Sequence, residues 1–252
     1  MTLDFDVERF NEAVAENDEQ HHESMRTFPS DVRELHAETR KALGGASRRD
    51  FLIRSALAST VLTFGSQILP MGSLFSGVAG AAEVLTDADI AAFAASLEYA
   101  AVAAYGAAAG SGKVTTPDVA AAAASFAAQH KTHGDAFAAA ANGKIAKDSP
   151  NKTVLTALST QLSQAADELD VVKLAFQVEN AAAATYQFAL GALEGVSYQQ
   201  LTASILPIEA GHAAVLGQIL FMGDTKADTA KTWLPPFQTE AGFVDPAKNP
   251  VA

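Results

Sequence analysis

An eight-residue pattern occurs twice in this chain of 252 residues, with starts 81 positions apart. Glu98-Tyr99-Ala100-Ala101-Val102-Ala103-Ala104-Tyr105 and Glu179-Asn180-Ala181-Ala182-Ala183-Ala184-Thr185-Tyr186 both read E-x-A-A-x-A-x-Y. A second pair recurs behind it: His130-x-x-His133 and Glu209-x-x-His212 stand 79 positions apart. Four polar positions thus return at nearly one period, in the order Glu, His-x-x-His, Glu, Glu-x-x-His. A chain built this way is constrained to two related hairpins that set matching polar residues around a pseudo-twofold axis.

The residues around these motifs fix the hairpins as helical. Ala dominates a composition that is 49% apolar and 18% charged, and Ala loses no side-chain entropy in a helix. Four long stretches follow. The first runs from about Thr86 to Ala109, with Thr86 as N-cap and acids in its first turn. The second starts at Thr116-Pro117-Asp118, a cap followed by proline at the first helical position, and ends near Asn142-Gly143. The third covers about Asp167 to Leu193 and stops at Gly195. The fourth starts at a capping box, Ser197 to Gln200, and runs to about Met222, with a kink expected at Pro207. Each is about 25 residues, or about 37 Å. Gly-Ser-Gly joins the first two and Gly195-Val196 the last two, so each pair is antiparallel. About 24 residues separate the second stretch from the third. That is enough for a crossover containing Ser149-Pro150 and a short helix. The fold expected for residues 82–222 is an all-α, up-down four-helix bundle with a crossover between its second and third helices.

Charged side chains are rarely buried without partners, and a lone mid-helix glutamate usually faces water. The spacing changes that expectation. His130 and His133 are i, i+3, as are Glu209 and His212, so each pair shares one helix face. The other two helices supply one central glutamate each, Glu98 and Glu179. Nitrogen and oxygen donors from four helices can converge in a bundle core and suit a first-row transition metal such as iron or manganese. Tyr105 and Tyr186 follow their glutamates by two turns, facing the same interior. They can donate hydrogen bonds to the ligands, supply a redox-active phenol, or be core tyrosines with satisfied hydroxyls.

On these residues the chain resembles the ferritin-like superfamily, in particular its bacterial ferritin-like-domain proteins with export signals. The resemblance spans about residues 85–222. The superfamily's di-metal pattern is Glu, E-x-x-H, Glu, E-x-x-H, one element per helix. Glu98, His133, Glu179, Glu209 and His212 match it, and His130 stands where a bridging glutamate is expected. The resemblance implies one or two iron or manganese ions and reaction with dioxygen or peroxide, of the ferroxidase or peroxidase/catalase kind. The departure at His130 bears on dinuclear occupancy and on oxidase activity.

Outside the bundle, Ser47-Arg48-Arg49-Asp50-Phe51-Leu52 precedes a run without charge from Ser55 to Ala82, with small residues at Ala79-Gly80-Ala81. That order reads as a twin-arginine signal with an A-x-A-like cleavage site. A retained membrane anchor is the other reading, since the run is long enough to span a bilayer. Residues 1–46 are acidic and polar, with His21, His22 and His36, and make a long n-region or follow a mis-assigned start. Residues 1–81 are therefore set apart from the bundle. Residues 223–252, with Trp233-Leu234-Pro235-Pro236-Phe237, read as a Pro-rich tail strapped over it. The expected partner is the twin-arginine translocase, the expected location extracytoplasmic, and membrane contact is confined to the signal or anchor. A net charge of −12 argues against nucleic acid, and the absence of cysteine excludes disulfides, thiolate metal sites and a cysteine nucleophile. Two functions fit this pattern: a metal-dependent redox protein, or a non-catalytic exported bundle, structural or stress-related, with a degenerate site.

Overall fold

The computed structural model describes residues 3, 5–26, 62–64, 67–69 and 86–221. Six helices are present among them: α1 (Val7–Arg26), α2 (Asp87–Gly110), α3 (Pro117–Ala140), α4 (Lys152–Gln164), α5 (Glu168–Ala192) and α6 (Val196–Phe221). Two short strands, β1 (Leu62–Phe64) and β2 (Gln67–Leu69), pair antiparallel within the uncharged run. The twin-arginine stretch and the Pro-rich tail lie outside the described residues.

The bundle is α2, α3, α5 and α6, arranged as the two expected hairpins. The backbones approach closely within α2/α3 and within α5/α6 and more sparsely between the hairpins. Small residues permit the close approach: Ala91, Ala94, Ala95 and Ala100 of α2 are buried. At Gly134 of α3 a Cβ would lie 2.8 Å from the Tyr99 ring and 3.2 Å from the Glu98 Cβ, so this contact requires glycine. The α3–α5 connection contains α4, which packs on α2, and Asn151, the α4 N-cap, donates its backbone N–H to Ser96 O at 2.8 Å.

The helix ends follow local chemistry. Thr86 and Asp89 form a reciprocal capping box at the start of α2. α3 ends before Asn142 and Gly143, both at positive φ, where the left-handed conformation stops the helix. At Thr116 the N-cap hydroxyl makes no cap bond. It donates instead to Glu168, whose carboxylate takes two backbone N–H groups and two hydroxyls from Thr115 and Thr116 and ties the α2–α3 turn to the start of α5. α6 begins at Val196, one residue earlier than expected, so Ser197 lies inside its first turn. It continues as α-helix through Pro207.

The main departure from expectation concerns the N-terminal segment. Residues 7–26 form a helix that lies along α6 and also touches α3. Phe10, Asn17 and His21 are buried on it, and Val14 and Met25 pack against the core from the same face. These positions recur at intervals of three and four, the spacing of a helix with one buried stripe. Phe10 sits in a cluster with Tyr105, Phe126, Val172 and Leu216.

Candidate metal centre

Each of the four bundle helices contributes mid-helix polar side chains that its apolar neighbours carry into the core. Glu98 comes from α2, His130 and His133 from α3, Glu179 from α5, Glu209 and His212 from α6, and all six are buried. Their donor atoms converge in two groups of four. Glu98, His130, His133 and Glu209 form one; His130, Glu179, Glu209 and His212 form the other. Within each group one donor per residue lies within 4.8 Å of the rest. The groups share His130 and Glu209, the two positions related by the 79-residue repeat.

Both shared residues are oriented toward both halves. His130 Nδ1 lies 2.7 Å from Glu98 Oε2 and its Nε2 lies 3.1 Å from Glu179 Oε1. Glu209 Oε1 lies 2.8 Å from His133 Nδ1, and Glu209 Oε2 lies 3.7 Å from His212 Nδ1 and from His130 Nδ1. His212 Nδ1 is 3.1 Å from Glu179 Oε2. The tyrosines cross the axis. The Tyr105 hydroxyl donates to Glu179, and the Tyr186 hydroxyl donates to Glu98. Each tyrosine thus holds the glutamate of the opposite hairpin, which a pseudo-twofold arrangement requires.

The protonation states follow from these contacts. Burial pushes the Glu98 carboxyl up, but hydrogen bonds and charge from His130 and His133 outweigh it and hold the carboxyl at about 2. Glu179 is likewise held well below the usual carboxylate range, burial being outweighed by His130 and His212. Burial disfavours each imidazolium, yet the glutamates raise His133 to about 9, His130 well above its ordinary value, and His212 in the same direction. Burial, reinforced by the carboxylates, keeps both phenols protonated.

The donor set fits a metal ion. It is all nitrogen and oxygen, as first-row divalent cations prefer. Glu209 keeps both oxygens, and His133 its Nδ1, without an aligned hydrogen bond although all three atoms are fully buried. The 2.8 Å approach of His133 to Glu209 is therefore off the ring N–H line. Unaligned buried polar atoms are costly and rare, and these point toward the space the donors share.

Four residues that the motif left out form a layer around the imidazoles. His133 Nε2 meets His21 Nδ1 of α1 at 3.1 Å. His212 Nε2 meets Gln129 Oε1 at 2.7 Å, and Gln129 Nε2 donates to Asp18 Oδ1 of α1 at 2.9 Å. Phe126 stacks on His212 with centroids 4.1 Å apart. Burial, reinforced by the neighbouring His133, lowers His21 to about 4, so it is neutral and can accept. The buried stripe Phe10, Val14, Asn17 and His21 was the sequence signal for this layer, within a segment set apart as an n-region.

No curated protein and no solved structure matches the chain. A family model described as a ferritin-like domain matches residues 86–222, more than half of the chain. It begins at the α2 cap and covers both hairpins with all six converging residues, so the chain belongs to the ferritin-like domain family.

Proposed function

We propose that this protein is an exported metal-binding redox protein that holds iron or manganese in its bundle core and oxidises iron or consumes peroxide. The observation that carries the reading is the pair of four-donor groups sharing Glu209 and His130. Glu98, His133, Glu179, Glu209 and His212 would hold the metal, with His130 as a variant ligand. A bound ion would supply redox chemistry and polarise the oxidant. The chain does the rest. Tyr105 and Tyr186 hold the two terminal carboxylates in place, and the Ala-rich walls of α2 and α5 keep bulk water away. An apolar cavity of about 60 Å³ counts Phe10, Tyr105, Val172 and Leu216 in its lining and would give a small apolar oxidant a way toward the centre. Export by the twin-arginine route would carry the folded, loaded protein across the membrane.

A second reading has its own observation. His130 spans Glu98 and Glu179 with one ring nitrogen on each, and as an imidazolium it closes part of the core as an internal ion pair. That suits a non-catalytic bundle with a degenerate site. Charge separates the two. Three glutamates supply −3, so two divalent cations with a neutral His130 leave about +1 in an apolar core, and uncompensated buried charge is costly. The expected stoichiometry is therefore nearer one metal than two, with His130→Glu raising it toward two and raising reactivity with peroxide or oxygen. Anaerobic calorimetric titration of both proteins with ferrous iron or manganese is the test. Absence of binding supports the degenerate site. Two equally tight sites in the wild type, unchanged by His130→Glu, refute the charge argument.

A further inference from the structure

The imidazoles have an outer layer that the four bundle helices do not complete. His133 and His212 both turn Nδ1 toward the carboxylates. A ring that ligates through Nδ1 carries its proton on Nε2, and an imidazolium facing the carboxylates carries one there as well, so in either form Nε2 donates and needs an acceptor. For His133 that acceptor is His21 Nδ1. For His212 it is Gln129 Oε1. The Gln129 amide can turn either face to the ring, and only one of them accepts. Asp18, by accepting from Gln129 Nε2, fixes the accepting face. Asp18 and His21 are i, i+3 on α1, so one turn of one helix governs both rings.

The seat of α1 is built for this register. Asn17 Nδ2 donates to Ile208 O at 3.3 Å, and the Ser24 hydroxyl donates to Ser204 O. A Cβ at Gly211 would lie 2.2 Å from Asn17 Nδ2, so the glycine beside His212 is the notch that admits Asn17.

We propose that α1 is a positioning clamp on the metal centre: His21 directly, and Asp18 through Gln129, orient the two imidazoles whose inner nitrogens face the carboxylates. The inference rests on the metal-centre reading for its effect on affinity, but the ring orientation it asserts does not. Such outer partners of ligating histidines typically govern metal affinity by about 10–100-fold.

The test uses the full chain and two pairs of variants. His21→Leu and Asp18→Leu remove the acceptors; His21→Gln and Asp18→Asn keep one. Manganese affinity, read by calorimetry, should fall about tenfold or more in the leucine variants and recover in the amide variants. In the metal-free protein, the slowly exchanging imidazole Nε2 proton of His133 should be seen by NMR in the wild type and His21→Gln and be lost in His21→Leu. Hydrogen exchange along α1 shows whether the helix stays docked. Should His21→Leu undock it, Gly211→Val, whose side chain would overlap the Asn17 amide without touching either acceptor, must lower affinity as well where exchange shows α1 released. Wild-type affinity in the leucine variants, or in an undocked Gly211→Val, overturns the clamp. A wild type that binds neither manganese nor ferrous iron sinks the metal-centre reading, while the imidazole proton of His133 still decides the clamp.

Discussion

Loading this centre is a proton-for-metal exchange, and the structure sets its scale. In the metal-free core His133 carries its proton up to about 9, because Glu209 and Glu98 outweigh burial. A ligating nitrogen must be free of its proton. At pH 7, removing a proton held to about 9 costs two pH units, about 2.7 kcal/mol or about 100-fold in affinity. Apparent affinity should therefore climb about tenfold per pH unit for this one group between pH 7 and pH 9 and flatten above that. His130 and His212 are raised in the same direction and can only steepen the slope. The assay is manganese titration across pH 6.5–9, repeated in buffers with different ionisation heats so that the protons released are counted. An affinity flat with pH, with no dependence of the heat on buffer, would show that the imidazoles are neutral before loading and that the electrostatic account is wrong.

The same shifts predict the stability of the metal-free protein. Glu98 is depressed, so its contribution is present above about pH 4.5 and is lost as pH falls toward 2; His133 is raised, so its contribution is complete below about pH 6.5 and is lost as pH rises through 9. Urea midpoints should thus peak between those limits. Tyr105→Phe and Tyr186→Phe each remove a hydroxyl donated to a buried carboxylate and should each cost about 1.5–3 kcal/mol in metal-free unfolding. Equal loss from both would reflect the crossed symmetry, and no loss from either would refute the assigned bonds. Replacing Arg48 and Arg49 together by Lys should retain the precursor in the cytoplasm, read by fractionation and immunoblot; unchanged secretion removes the export proposal.

The bundle was legible because its signals are local. Thr86, Pro117, Asp167 and the glycines between helices mark the ends from neighbouring residues alone, and the repeated E-x-A-A-x-A-x-Y carries the symmetry. The six converging side chains were legible because each is a polar residue in an Ala-rich helix, where burial needs a reason. The crossed tyrosine bonds were half visible: the two-turn spacing from each glutamate puts the phenol in the interior, but which carboxylate it reaches depends on how the hairpins face each other. Ser197 was placed as a cap because Gln200 completes the pattern, yet the helix already starts at Val196 and Ser197 lies inside its first turn. His21 was read only as part of a polar n-region, and Asp18 and Gln129 were not read. The contacts that α1 makes here join residues more than a hundred positions apart, and the polar composition of residues 1–46 hid an apolar stripe of only a few side chains.

The docked N-terminal helix changes what cutting the chain would mean. Residues 27–85 begin and end on the same folded body, since Arg26 closes α1 and Thr86 caps α2. While residues 27–85 are covalently intact, α1 meets its seat as part of one molecule, at an effective concentration that dilution does not change. A single cut near Ala81 breaks no contact between α1 and α6. It makes their association bimolecular, so that dilution favours release of the helix and with it His21, the partner of His133, and Asp18, which orients Gln129 on His212.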